Sequence, residues 1–396
     1  MHVPDGFIDA PVSAGTAVVA AAAVAVSLRG ARRELDDKAA PLAGLVAAFI
    51  FAVQMLNFPV AAGTSGHLLG GALAAVLVGP YTGVLCISVV LLMQGVLFAD
   101  GGLTALGINI TDMGIVTTVV AYAVFRVLVR VLPRGRTGLS VASFAAALVS
   151  VPAAAAAFTL IYAIGGTTDV PVHQVFTAMV GVHVLIGLGE AVITALTVSA
   201  VAAVRPDLVR GAQGLLRPLE IRTAAVTSPA FSSPRDDDQP QRRSPAVPSD
   251  LGPDGHRRSG PEGLSAVAAE GVAEASAGSP GPRSGKRWWL AGVAAALVCA
   301  GGLSYYASTS PDGLEKVAHD KGIDSKEEAH AAKDSPLADY QVKDVADERL
   351  SGGLAGVIGV GATLAVGTGV FVTLRRKRDR DRDSDRARPA SEPAAR

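Results

Sequence analysis

The feature that most constrains this chain is a series of long apolar segments. A helix needs roughly 20 apolar residues to cross the hydrocarbon core of a bilayer. Half of the 396 residues are hydrophobic, and Ala, Val and Leu supply most of that share. The abundance of the small residues Ala and Gly is common in closely packed transmembrane helices. The pattern predicts a membrane protein rather than a soluble enzyme. The apolar segments are residues 12–28, 41–60, 68–98, 106–132, 139–164, 175–204, 288–306 and 350–374.

One of these segments, residues 68–98, is interrupted by GPYTG at residues 79–83. Gly and Pro are strong breaks in a helical pattern, so this segment is predicted to form two short helices joined by a tight turn. Residues 1–222 then contain seven helices. We expect an all-α, polytopic membrane helix bundle of seven helices, followed by a two-helix C-terminal module.

The distribution of Lys and Arg predicts the orientation of these helices, because positive charges gather in cytoplasmic loops. RGARRELDDK, FRVLVRVLPRGR and VRPDLVRGAQGLLRP follow the first, fifth and seventh predicted helices, whereas NFPVAAGTSG, ADGGLTALG and IGGTTDVPVHQ contain no Lys or Arg. This alternation predicts an outside N-terminus. Because MHVPDGFIDA lacks Lys and Arg, the first segment is expected to be an uncleaved helix rather than a signal peptide.

Composition divides the remainder of the chain. Residues 223–285 are rich in Pro, Ser, Gly, Arg and Asp and are predicted to form a disordered cytoplasmic linker. Residues 286–375 form the two-helix module, with an external loop at 307–349, and residues 376–396 form a charged cytoplasmic tail that is also expected to be disordered. The C-terminus is therefore placed in the cytoplasm.

The N-terminal Met1-His2 pair is the first candidate for chemistry. A deprotonated α-amino group, the His2 backbone nitrogen and the His2 imidazole form a compact nitrogen chelate. Nitrogen donors of this kind favour Ni(II), Cu(II) or Co(II) over Mg(II) and Ca(II). Each ligand must lose its proton, so metal binding is expected to weaken as the pH falls.

His67, in GTSGHLLGG, is the candidate for a further nitrogen ligand. It precedes the third helix on the same predicted membrane face as the N-terminus. A histidine at a helix entrance is commonly a satisfied polar residue, but a Met-His terminus on the same face favours a ligand.

Other polar side chains within or beside the apolar segments have two possible roles. His183 and Glu190 are seven residues apart on one helix face, where each either pairs with a neighbouring helix or takes part in an ion path. A further set is expected to bridge helices or to supply a hydrogen-bond partner for His67. This set comprises Gln54, Asn57, Gln94, Asp100, Asn109 and Asp112.

The remaining candidates are weak. His319 and His330 lie in the external loop, where the spacing of Glu327 and His330 is more typical of a solvated helix face than of a metal site. SPGPRSGKR lacks the first Gly and the final Ser or Thr of a phosphate-binding loop. The sequence therefore offers no site for ATP hydrolysis.

Several motifs together resemble a known family. MHVPDGF, QMLNFPV, GTSGHLLGG, DGGLTALGIN and GVHVLIGLGE, in that order over roughly residues 1–222, closely resemble the CbiM/NikM substrate-capture subunits of energy-coupling factor transporters for cobalt and nickel. The segment that begins PDGLE at residue 311 resembles the PDGLE-type partner, which replaces the small CbiN/NikN subunit.

The resemblance implies a near-planar site for Co(II) or Ni(II), the transported ion, with no other cofactor. Its ligands would be the Met1 amino nitrogen, the His2 backbone and imidazole nitrogens and the His67 imidazole. It also implies a CbiQ/NikQ-like coupling subunit and CbiO/NikO-like ATPases in a bacterial cell membrane.

Three functions remain open from the sequence. Import of Co(II), for cobalamin biosynthesis, is favoured over import of Ni(II) by family frequency alone. A metal sensor that does not transport is the second function. An intramembrane enzyme is the third. It is disfavoured because a closed four-nitrogen site with no adjacent carboxylate offers neither an open coordination position nor a general base.

Overall fold

The structure is a computed structural model that describes residues 1–35, 39–61, 63–213, 215 and 285–387. The linker predicted at residues 223–285 lies outside the described residues except for its last position. Residues 388–396 of the predicted tail lie outside them as well.

Within the described residues, the first domain is a bundle of seven helices, as the sequence predicted. Two of them include a π-helical stretch, at Gln94–Phe98 and Ile110–Val116. The helices are α1 (Ala10–Glu34), α2 (Ala39–Gln54), α3 (Gly71–Val78), α4 (Pro80–Phe98), α5 (Leu106–Val131), α6 (Arg136–Gly165) and α7 (Val172–Val204).

Helix boundaries follow from local chemistry. Asp9 caps α1, since its Oδ1 accepts a hydrogen bond from the Val12 N–H at 2.9 Å. Helices α3 and α4 are separated by Gly79, whose φ of 98° suits glycine, and Pro80 then opens α4. The turn predicted at GPYTG is therefore confirmed.

Helix α3 is the centre of the bundle. Every residue from Gly71 to Val78 is buried, and α2, α4, α5, α6 and α7 all pack against it. With 8 residues it is much shorter than a membrane span, so the segment just before it, which contains His67, lies inside the bundle rather than at its surface.

The second apolar segment differs from its prediction. Its apolar run extends to residue 60, and NFPVAAGTSG was expected to be a loop. Instead α2 ends at Gln54, and the chain then forms a small antiparallel hairpin of β1 (Phe58–Ala61) and β2 (Thr64–Gly66). Pro59 explains the difference, since proline cannot donate the next helical hydrogen bond and favours an extended conformation in the residue before it.

The C-terminal module consists of α8 (Gly285–Gly301), α9 (Gly313–Lys321) and α10 (Glu348–Ala387). Helices α8 and α10 pack against α2, while α9 packs against α7 and β2. Together with the first domain, the described residues contain seven helices that are long and apolar enough to cross a membrane, and α2, with 16 residues, is shorter.

The beginning of the charged tail is helical, which differs from the expected disorder. Helix α10 continues to Ala387, and Arg375 Nε lies 3.6 Å from Asp379 Oδ2, one helical turn further on. Arg378 donates a hydrogen bond to the Leu35 carbonyl, and Arg32 NH1 lies 3.1 Å from Asp381 Oδ2. Contacts with the end of α1 therefore support the helix beyond the predicted boundary.

Helix α10 approaches α2 closely at its glycines. A Cβ atom at Gly359 would overlap the ring of Phe51 and would lie 2.8 Å from Phe98 Cζ, whereas a Cβ at Gly361 would have nothing within 4 Å. The two positions are in the same helix, so their helix propensities are alike.

We predict that Gly359→Leu will destabilise the protein by about 1–3 kcal/mol through overpacking at the α2–α10 contact. Thermal unfolding of the detergent-solubilised full chain measures this effect, and Gly361→Leu is the matched control. Equal melting temperatures for the two variants would contradict the close contact.

Candidate metal centre

The structure brings together Met1, His2 and His67, the three ligands implied by the sequence. The Met1 α-amino nitrogen lies 2.7 Å from His67 Nε2. The His2 and His67 rings are stacked, with centroids 5.1 Å apart and an interplanar angle of 8°. Met1 is 2% exposed and His67 is 5% exposed, so the site lies inside the protein.

Hydrogen bonds to the backbone of Val3 form a clamp that holds the N-terminal segment in place. The Val3 N–H donates to Asn109 Oδ1 at 2.7 Å, and Asn109 Nδ2 donates to the Val3 carbonyl at 3.2 Å. The Gly102 N–H also donates to that carbonyl, at 2.8 Å. Asn109, which was expected to bridge helices or to supply a hydrogen-bond partner for His67, instead holds the segment that carries Met1 and His2.

Asp5 ties the same segment to the DGGLTALG motif. Its Oδ1 accepts hydrogen bonds from the Thr104 N–H at 2.8 Å and from the Thr104 hydroxyl at 2.5 Å. A Cβ at Gly102 would overlap Asp5, so this position needs glycine. The N-terminal segment and the DGGLTALG motif, which are far apart in the sequence, are therefore hydrogen-bonded to each other through Asp5.

His67 is positioned by groups that bind the backbone just after it. Glu190 Oε2 accepts from the Leu69 N–H at 2.6 Å, and Oε1 accepts from the Gly70 N–H at 3.2 Å. Gln54 Nε2 donates to the Leu69 carbonyl at 3.0 Å. Glu190 and Gln54 contact the loop of His67 and not its imidazole.

The His67 imidazole presents one nitrogen to the site. Its Nδ1 donates to the Leu68 carbonyl at 3.1 Å, which leaves the lone pair on Nε2 facing Met1. Burial, together with the neighbouring N-terminal ammonium, lowers the pKa of His67. The ring is therefore neutral near pH 7, which is the form that binds metal ions.

His2 pairs with Asp100. His2 Nδ1 lies 2.8 Å from Asp100 Oδ1, and Tyr340 donates its hydroxyl proton to Asp100 Oδ2 at 2.5 Å. Burial opposes ionisation of Asp100, but His2 and Tyr340 outweigh it and lower the pKa to about 2. His2 Nε2 is buried and has no hydrogen-bond partner among the described residues.

The Asp100 contact differs from expectation in two ways. A partner for His67 was expected among six polar residues, but Asp100, the member of that set that reaches the site, binds His2 instead. A chelate with the His2 backbone nitrogen needs Nδ1 of the same residue, and this nitrogen is the one that faces Asp100.

Asp312, a residue that the sequence did not single out, also reaches the site, so the expectation that no carboxylate lies beside it was wrong. Its Oδ2 lies 2.6 Å from the Met1 nitrogen and 3.6 Å from His67 Nε2. Burial favours the neutral carboxyl, but the N-terminal ammonium and His67 hold the pKa of Asp312 well below its usual range. Asp312 is the second residue of the PDGLE motif.

The other predicted residues make contacts of their own. His183 Nδ1 donates to the Met179 carbonyl at 2.7 Å, and a Cβ at Gly313 would lie 3.1 Å from His183 Cε1. The Asn57 carbonyl accepts from the Ser308 N–H at 2.7 Å. Asp112 is buried, and neither carboxylate oxygen has a partner within the described part of the chain.

The two histidines of the external loop do not share a site. His330 Nε2 lies 3.1 Å from the Gly101 carbonyl oxygen, while the His319 side chain is 79% exposed and lies beside Asp324. In the described ranges, no three His, Cys, Asp or Glu side chains meet by themselves in a metal-binding arrangement. His67 and Asp312 both contact the α-amino nitrogen of Met1.

Comparisons with known proteins match both parts of the chain. Residues 2–208 match the family model CbiM, described as the cobalt uptake substrate-specific transmembrane region, and residues 286–376 match the PDGLE domain. A putative fused nickel transport protein NikMN of Archaeoglobus fulgidus is 38% identical over 234 residues, which are 59% of this chain and 76% of that protein.

A cobalt relative and a solved structure are also similar. The cobalt transport protein CbiM of Sorangium cellulosum is 37% identical over 215 residues, which are 52% of this chain and 94% of that protein. The crystal structure of a truncated transition metal transporter is 26% identical, with a TM-score of 0.45, and the match covers 51% of this chain and 99% of that one.

We predict that Asn109→Ala will loosen the N-terminal segment, because it leaves both polar groups of Val3 without their side-chain partner, at a cost of about 1–3 kcal/mol. Hydrogen exchange at residues 3–7, measured by mass spectrometry, should become faster. Thr111→Ala, two residues along α5, is the control. Unchanged exchange in Asn109→Ala would refute the clamp.

We predict that Glu190→Ala will destabilise the loop after His67, because two buried N–H groups lose their acceptor at about 1–3 kcal/mol each. The melting temperature of the solubilised protein should fall, and Glu190→Gln, which keeps one carbonyl acceptor, should be intermediate. Leu188→Ala changes an exposed residue of α7 and serves as the control. A melting temperature equal to that of the control would refute this role.

Proposed function

The chain belongs to the CbiM family of cobalt uptake transmembrane regions and carries a PDGLE domain, and from this premise we propose that it is the substrate-binding subunit of an energy-coupling factor importer for Co(II) or Ni(II). Family membership and the apolar helices make it a multi-pass membrane protein and a subunit of a metal transporter. The finer statements below are proposals.

The observation that carries the proposal is the 2.7 Å contact between the Met1 amino nitrogen and His67 Nε2, beside the stacked His2 ring. Nitrogen donors from an amine and imidazoles suit Ni(II) and Co(II) and bind Mg(II) or Ca(II) poorly. We propose that the ion is held by the Met1 amino nitrogen, the His2 backbone and imidazole nitrogens and His67 Nε2.

Binding in this way requires two local changes. The Met1 ammonium must lose a proton before its nitrogen can bind a metal ion. His2 Nδ1 must also exchange Asp100 for the ion, since only Nδ1 can close a chelate ring with the backbone nitrogen of the same residue. The hydrogen bond from Tyr340 is made to the other oxygen of Asp100, Oδ2, and does not involve His2.

The identity of the cargo is open between two ions with the same donor preferences. The family model is described for cobalt, which agrees with the preference from the sequence, whereas the fused Archaeoglobus relative is named for nickel. We propose cobalt as the first cargo to test and nickel as the alternative.

The proposed orientation puts the N-terminus and the metal centre outside and the C-terminus in the cytoplasm of a bacterial cell. The clustering of Arg at the end of α1 and after α5 supports it, because cytoplasmic ends are enriched in positive charge. A CbiQ/NikQ-like subunit and CbiO/NikO-like ATPases are the proposed partners, and they would supply ATP hydrolysis.

We predict that purified protein with its native N-terminus, exposed to equimolar Co(II) and Ni(II), will retain about one equivalent of one metal, and that His2→Ala and His67→Ala will each lose it. Elemental analysis measures the bound metal. His319→Ala, at an exposed histidine, is the matched control and should retain full occupancy.

A second variant tests the amino group directly. One extra residue before Met1 would move the α-amine away from His67, and metal retention should fall as it does in His2→Ala. Undiminished metal in the extended protein and in both histidine variants would refute the proposed site. Metal accumulation in cells that coexpress the coupling and ATPase subunits, and its absence without them, would separate an importer from a sensor.

A further inference from the structure

The PDGLE segment contributes a side chain to a site otherwise built from the first domain. Asp312 is 311 positions from Met1 in the sequence, yet its Oδ2 is 2.6 Å from the Met1 nitrogen. None of the sequence expectations gave Asp312 a role.

The separations of the three convergent atoms fit a shared coordination sphere. Bonds of about 2.0–2.2 Å at right angles separate neighbouring ligand atoms by about 3 Å. The separations here are 2.7 Å between the Met1 nitrogen and His67 Nε2, 2.6 Å from that nitrogen to Asp312 Oδ2, and 3.6 Å from His67 Nε2 to the same oxygen. Small shifts would place all three atoms around one ion.

The two carboxylate oxygens of Asp312 have different partners. Oδ1 caps α9 by accepting the Glu315 N–H at 2.8 Å, and Glu315 Oε2 in return accepts the Asp312 N–H at 3.2 Å. Oδ2 takes no part in this capping box and faces Met1 and His67. The helix cap therefore orients one oxygen towards the centre.

Two further contacts fix Asp312 relative to His67. The Ser65 N–H donates to the Pro311 carbonyl at 2.8 Å, and the Ser65 hydroxyl donates to the Ser310 carbonyl at 2.7 Å. Gly313 packs so tightly against α7 that a Cβ there would lie 2.7 Å from Ile186 Cδ1. Pro311 and Gly313, on either side of Asp312, are thus held against the first domain. Their anchor on the Pro311 side, Ser65, is two positions before His67.

We propose that Asp312 Oδ2 is a ligand of the transported ion, so that the PDGLE segment supplies an oxygen donor to the nitrogen site of the first domain. This inference rests on the proposed function. Both Co(II) and Ni(II) accept mixed nitrogen and oxygen ligands. The bound ion would then have at least one ligand outside the plane of the nitrogen donors.

The test compares wild-type protein with Asp312→Ser in the full chain. Serine caps a helix about as well as aspartate, so the variant retains the α9 cap and lacks the oxygen that faces Met1. Glu315→Ala is the structural control, because it removes the other half of the capping box and leaves Asp312 in place.

Metal affinity and X-ray absorption at the metal edge are the two measurements. We expect Asp312→Ser to bind the ion at least about 10-fold more weakly. Its spectrum should show one nitrogen or oxygen ligand fewer than wild type and, for Ni(II), the pre-edge feature of planar coordination. Glu315→Ala should keep the wild-type ligand number and affinity.

Other outcomes overturn the inference. An unchanged spectrum in Asp312→Ser, or tighter binding, would show that Asp312 only neutralises the ammonium and competes with the metal. Equal losses in Asp312→Ser and Glu315→Ala would assign the effect to the helix cap. A wild-type protein that binds no metal would refute the proposed function itself, which distinguishes that failure from failure of the Asp312 ligand.

Discussion

The rest of the structure depends on the burial of the Met1 ammonium. Removing a charged group from water costs roughly several kcal/mol, even after the protein relaxes around it. Here the cost is offset by the Asp312 carboxylate at 2.6 Å and by the lone pair of His67 at 2.7 Å. Asn109 binds the backbone of Val3, and Glu190 binds the backbone of Leu69, so each holds a segment that carries one of these groups. The site therefore depends on these backbone hydrogen bonds as well as on the groups that meet in it.

The same ion pair joins the two parts of the chain. Asp312 and Tyr340 belong to the C-terminal module, and they bind Met1 and Asp100 of the first domain. Because both parts are in one polypeptide, each encounter is intramolecular, which raises the effective concentration of one part at the other.

Hydropathy predicted much of the fold because a bilayer imposes length and composition on every span. The break at Gly79 was readable since glycine and proline act locally, but the early end of α2 at Gln54 was missed although Pro59 marks it. Met1, His2 and His67 could be proposed from nitrogen chemistry. Asp312 could not, because periodicity carries no information on contacts between residues 311 positions apart.

The charged groups around the centre bear on the proposed cargo. The surroundings hold the pKa values of Asp100 and Asp312 below their usual range, so both carboxylates are ionised beside a neutral His67. In this arrangement the Met1 ammonium compensates the charge of Asp312. On the proposed function the ammonium loses its proton, and a bound cation would then take over this compensation. Nitrogen donors then discriminate among divalent ions, because Mg(II) and Ca(II) prefer oxygen. On the proposed function, the carboxylates would therefore favour a cation, and the amine and imidazoles would favour a transition metal ion over Mg(II) and Ca(II).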